Sequence, residues 1–193
     1  MPSLLLTVNF ASIAVLLATA VRADLRSRRI PNILVVTGTA LAFAMHAATT
    51  YAGAAPLAGS AWWSPLAGMA AGFALLLPLY LLRATGAGDV KLMAMVGAFV
   101  GAPTVLAATL YTLLAGGVLS LAFMLGRGVA AQTLANVRFM LTDWALRAST
   151  GHGARLAPLQ TTAARLPYAV AIASGTAVAL VWPLGSLVSR AAS

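Results

Sequence analysis

Apolar residues fall into six runs, separated by short breaks that are basic or rich in glycine and proline. The first, Leu4 to Val21, is followed by Arg22, Arg26, Arg28 and Arg29, with no positive residues ahead of it. A secretory signal carries its charge before the hydrophobic core, so this run reads as an uncleaved helix. The second extends from Ile33 to about Tyr51 behind Ile30-Pro31-Asn32, where proline suits a first helical turn because its missing N–H has no partner there anyway. Gly53 to Ser60 reads as a turn, and Trp62 and Trp63 as anchors at a membrane boundary, ahead of a third run that ends at Leu82. Inside it Pro78 is placed to kink the helix, and Gly68 and Gly72 have the small-xxx-small spacing that lets helices approach closely. The fourth run, Val90 to Val100, is short, and Gly101-Ala102-Pro103 turns the chain into the fifth, Thr104 to Leu125. A hydrophilic connection over about 127–165 contains Val137 to Ala148, patterned as an amphipathic surface helix. The final run, Pro167 to Val188, again opens on proline.

Runs of roughly 20 apolar residues cross a hydrocarbon core about 30 Å thick. The chain is 61% hydrophobic and 8% charged, where soluble domains carry about 25% charged residues. The expectation is an all-α, polytopic membrane protein with about six transmembrane helices, forming a single domain over residues 1–193. Charge orients it. With the N-terminus outside, eleven of the twelve basic residues fall on the cytoplasmic side and only Arg190 falls outside, as the positive-inside rule requires. The net charge of +9 is then a matter of topology, and no nucleic-acid partner is expected. Absence of cysteine excludes disulfides and thiolate chemistry. His46 and His152 have no ligand-forming neighbours at metal spacing, so neither a metal nor a cofactor is expected.

Acidic residues are few, and two of the three recur at one predicted membrane face. Asp24 lies just beyond the first helix and Asp89 just beyond the third, inside Gly86-Ala87-Gly88-Asp89-Val90-Lys91. A carboxylate at a helix centre in the bilayer costs about 2.5 to 3.5 kcal/mol on insertion scales, so an acid near that boundary marks a functional site. Gly86 and Gly88 would let another backbone approach it. Each residue also has a plain structural reading. Asp89 could be a solvated loop carboxylate, Asp24 a helix-end partner of Arg26 or Arg28, and Lys91 either a support for the site or a cation reaching the interface along its aliphatic stem. Asp143 stands four residues before Arg147, the spacing of a helix-surface ion pair. Two aspartates brought within hydrogen-bonding distance cannot both ionise cheaply, so one keeps a proton. The ionised member can draw a proton from water while the other donates to a scissile carbonyl. No glutamate and no recognisable serine triad competes with them.

Three segments carry a resemblance. Asp24-Leu25-Arg26-Ser27-Arg28-Arg29-Ile30-Pro31-Asn32 resembles the first aspartate motif of the type IV prepilin peptidases, and Gly86-Ala87-Gly88-Asp89 their second, the Gly-x-Gly-Asp of intramembrane aspartic proteases. Arg165-Leu166-Pro167-Tyr168-Ala169 is similar to the Pro-Tyr-Gly that opens the family's last helix, with Ala169 where glycine is usual. The resemblance implies that Asp24 and Asp89 are catalytic, with Gly86 and Gly88 shaping the water site; Pro31, Asn32 and Lys91 support it. Longer members carry a cysteine-containing cytoplasmic extension that accompanies methylation by S-adenosylmethionine. This chain resembles instead the short peptidase of Flp or tight-adherence pilus systems, the TadV or CpaA type, which implies proteolysis without methyl transfer. The implied substrate is a prepilin or pseudopilin, whose short basic leader is removed at the cytoplasmic face of the bacterial inner membrane. Membrane lipids are the other expected partner, and a homo-oligomer is left open. Two rival functions use the same residues: a proton- or ion-coupled transporter, and a non-catalytic assembly protein of a secretion apparatus.

Overall fold

The computed structural model describes residues 2–82, 84–126, 138, 142 and 168–182, and every regular element among them is an α-helix. These are α1 (Pro2–Ser27), α2 (Asn32–Tyr51), α3 (Ser64–Leu81), α4 (Ala87–Gly126) and α5 (Tyr168–Val181). The first four are long and apolar enough to cross a membrane. The chain is therefore an all-α polytopic membrane protein. Its exterior carries large apolar side chains such as Val15, Val36, Phe73 and Leu106, the pattern of a surface that meets lipid.

The chain forms two units, residues 1–116 with 167–193, and residues 117–166. In the second, α4 continues to Gly126 with Val118, Leu121 and Leu125 exposed. Of the amphipathic helix expected over Val137 to Ala148, Arg138 and Thr142 are described, and both are helical. Asp143 and His152 lie outside the described residues, as do Arg83 and Pro167.

The first unit is organised around the opening leg of α4, in which Leu92 to Val100 are all buried. That leg is only about 21 Å long at 1.5 Å per residue. Burial in protein on all sides allows it to be shorter than the bilayer core. Small residues let its neighbours close in. A Cβ on Gly68 of α3 would overlap the carbonyl oxygen of Gly97, one on Gly72 the carbonyl oxygen of Met93, and one on Gly38 of α2 the Sδ of Met95. Gly68 and Gly72 thus do what their spacing predicts.

The turn expected at Gly101-Ala102-Pro103 is present as a break inside α4. Gly101 has φ 77° and ψ 171°, and a Cβ there would strike the carbonyl of Ala58. Only glycine meets both demands. Met93 and Val105 flank the break and both reach Gly72, although an unbroken helix would set them about 18 Å apart. The chain therefore doubles back. This end of the unit also holds the 52–63 connection with the exposed Trp62 and Trp63, the latter preceding α3 as its N-cap.

At the opposite end, the close of α1 meets the starts of α2, α4 and α5. One detail differs from expectation. Pro31 stands just outside α2 as its N-cap, with an extended ψ of 131°, and helical geometry begins at Asn32.

Candidate active site

Asn9, Ile13, Leu17, Ala20 and Asp24 are the buried positions of α1, spaced three or four apart on one face. Asp24 is the last of that stripe and is only 7% exposed. Its position on the inward face follows from the same periodicity that buries Ile13. One turn later α1 ends. The N–H of Arg28 donates to the Asp24 carbonyl at 2.9 Å, and Arg28 takes the left-handed conformation, φ 53°. The Ser27 hydroxyl lies 2.9 Å from the Ala23 carbonyl oxygen and 3.2 Å from that of Arg29, fixing the reversal toward Ile30 and Pro31.

Asp89 occupies the third position of α4. Its Oδ2 accepts the N–H of Gly86 at 2.9 Å, the reach-back half of a capping box, which satisfies a donor that the helix start would leave unpaired. Glycine at 88 has a specific reason. A Cβ there would sit 3.3 Å from Cβ of Ile30 and 3.6 Å from its Cγ1 and Cδ1, so an alanine would press the α1–α2 turn away from the start of α4. Asp89 is partly buried.

The third contributor to the site is α5. The N–H of Ala169, in its first turn, donates to Asp24 Oδ2 at 3.1 Å. A helix start offers unpaired N–H groups and a partial positive charge, both favourable to a carboxylate. Next to it, the Tyr168 ring covers Gly116: a Cβ there would lie 2.8 Å from Cε2. A fourth link joins the two aspartate motifs directly, with Lys91 Nζ donating to Asn32 Oδ1 at 3.2 Å.

The end of α1, the turn into α2 and the start of α4 form a cleft of about 290 Å³ lined by Asp24, Asn32, Gly86, Gly88, Asp89 and Lys91, together with Arg28, Arg29, Ile30 and Ala87. All the sequence-selected site residues line it except Pro31, which stands behind it as the α2 cap. Among the described residues, each aspartate accepts one hydrogen bond through Oδ2, and neither forms an ion pair with an arginine. The pairing of Asp24 with Arg26 or Arg28 weighed from sequence is absent there. Each carboxylate therefore has one oxygen held by main chain and one available to water or substrate.

Sequence reasoning took Arg29 as a topological charge and Arg28 as that or an ion-pair partner of Asp24, and missed both as cleft residues. The donation from Ala169 was also missed, because a backbone N–H leaves no side-chain signature; the one trace was the Pro-Tyr-Ala motif at that helix start. His46 is buried on α2, with neither ring nitrogen hydrogen-bonded among the described residues.

Comparison with curated proteins and with solved structures returned no match. The model of the type IV leader peptidase family matches residues 11–121, which is more than half of the chain and takes in both aspartates, the turn after α1 and the glycine-flanked start of α4. The chain thus belongs to the type IV leader peptidase family.

Proposed function

We propose that this leader peptidase is a membrane-embedded aspartic endopeptidase in which Asp24 and Asp89 form the catalytic dyad. In this reading it removes the short basic leader of Flp- or Tad-type prepilins or pseudopilins at the cytoplasmic face of a bacterial inner membrane, where six spans with an outside N-terminus would put the cleft. The observation that supports it most directly is that two carboxylates, 65 positions apart in the chain, line one cleft.

The chemistry needs only water and the pair. One carboxylate takes a proton from a water molecule as its oxygen attacks the scissile carbonyl carbon, and the protonated partner donates to the carbonyl oxygen. When the tetrahedral intermediate collapses, the C–N bond breaks and the leaving nitrogen takes up the proton drawn from water. Gly86 and Ala169 hold one oxygen of each carboxylate throughout, so little reorganisation accompanies the charge shifts.

The test is co-expression with a prepilin. Asp24→Asn and Asp89→Asn keep shape and hydrogen-bonding capacity but remove the acid, and each is expected to insert normally while cleavage drops at least about 100-fold. Processing by either variant at the parent rate would reject the dyad. Aspartate-dependent ion flux in vesicles without any pilin would favour the transporter.

A further inference from the structure

The geometry points to Arg28 as a substrate-binding residue, its guanidinium holding an oxygen acceptor of the substrate on the mature side of the scissile bond. This rests on the peptidase reading above.

Among the described residues Arg28 is the one non-glycine position with a positive φ. Helices commonly end on a residue in this conformation, and that residue is usually glycine, sometimes asparagine, because a Cβ is disfavoured there. For ending α1, arginine is a poor choice. Strain of this kind persists where the surroundings enforce it, and it clusters at functional sites. The position in question lines the cleft beside both carboxylates. The reversal also turns the side chain off the path it would follow if α1 continued.

The cleft has three lining cations, Arg28, Arg29 and Lys91. Lys91 is engaged with Asn32. Arg28 makes no ion pair or side-chain hydrogen bond among the described residues, although two carboxylates line the same space. Its five N–H donors form a planar fork suited to carbonyl or carboxylate oxygens. A basic leader would be repelled by these arginines, so the segment they hold is the one that follows the leader. The acceptor is either a backbone carbonyl or an acidic side chain of that segment.

The test uses the full-length protein in detergent micelles and a prepilin peptide spanning leader and mature start, comparing Arg28→Gly, Arg28→Asn and Arg28→Lys with the parent. Glycine and asparagine relieve the backbone, so both variants are expected to melt at or above the parent temperature. Both are expected to raise KM by roughly ten- to a hundred-fold, with kcat little changed, as loss of a hydrogen bond to a charged group implies. Lysine keeps the charge without the fork and should recover part of the loss. A second peptide, with neutral residues in place of every acid in its mature segment, separates the two acceptors. If the variants and the parent then show the same KM, the acceptor is a side-chain carboxylate; if the gap persists, it is main chain. An unchanged KM in the glycine and asparagine variants overturns the assignment, as does a melting temperature that falls together with activity. Neither result touches the dyad, which fails separately if Asp24→Asn cleaves as fast as the parent.

Discussion

Gly97 and Gly117, both in α4, should respond to alanine with opposite signs. A Cβ at Gly97 would overlap the Gly68 carbonyl oxygen and lie 2.6 Å from Gly68 C and 3.2 Å from Met69 N. All three are backbone atoms of α3, so no rotamer change can relieve the clash. Ordinary contact begins at 3.4 Å, so α3 and α4 must part by at least 0.8 Å at that point. A gap of that order forfeits about a quarter to a half of the dispersion energy across the interface. With overpacking penalties of about 1–3 kcal/mol, a cost near 3 kcal/mol is reasonable. Replacing glycine within a helix returns about 1 kcal/mol, leaving a net loss of about 2 kcal/mol. For a chain of this size that lowers the melting temperature by about 4–8 °C. At Gly117 a Cβ meets no described atom within 4 Å, and the propensity gain of up to about 1 kcal/mol should stand alone. Thermal unfolding of both variants in detergent, followed by circular dichroism, reads the contrast. Function supplies a second readout. Asp89, the proposed catalytic carboxylate, lies two turns upstream of Gly97 on the same leg, and misplacement of a catalytic group by about 1 Å can slow a reaction 100-fold, so on that proposal leader cleavage by Gly97→Ala should fall at least tenfold. A Gly97→Ala protein that melts at or above the parent would refute the close crossing of α3 and α4 on which the core depends.

Two smaller predictions follow from side chains. His46→Leu removes two buried ring nitrogens that lack partners among the described residues; melting should be unchanged or raised, because an apolar replacement of similar volume lifts a desolvation penalty of about 1–3 kcal/mol, and a drop of more than a few degrees would show that the imidazole is satisfied. Lys91→Met keeps the aliphatic stem and loses the exposed bond to Asn32, worth about 0.5–1.5 kcal/mol, so prepilin cleavage should fall less than about tenfold; a loss of 100-fold or more would mean that the ammonium acts on the dyad or the substrate itself.

Hydropathy made the helices legible because lipid exposure demands long apolar runs. The runs Leu4 to Val21 and Ile33 to Tyr51 lie within α1 and along α2, while α1 continues through Arg22, Asp24 and Arg26 to Ser27, past the point where apolarity stops. Hydropathy could not announce that extension, because its residues are largely polar and the inward one, Asp24, is held by the N–H of Ala169 at the start of α5. Gly101 and Pro103 signalled the break in α4, but its companion Ala58 could not be foreseen, since any backbone carbonyl could have stood there. At the site, Asp24, Asp89 and the two glycines were marked by rarity and motif. Arg28 was hidden because its backbone angle has no composition signal. The bond between Lys91 and Asn32 was hidden because neither residue is unusual at a helix start.

Both aspartates are steadied by amide nitrogens of the main chain, Gly86 for one and Ala169 for the other. Such anchors use no side-chain chemistry, but they do need small residues: a Cβ on Gly86 would sit 3.3 Å from Asp89 Oδ2, and Ala169 is fully buried. Glycine and alanine at position 169 would present the same amide to Asp24. The polar walls of this cleft can therefore change while its two carboxylates stay where the helix ends set them.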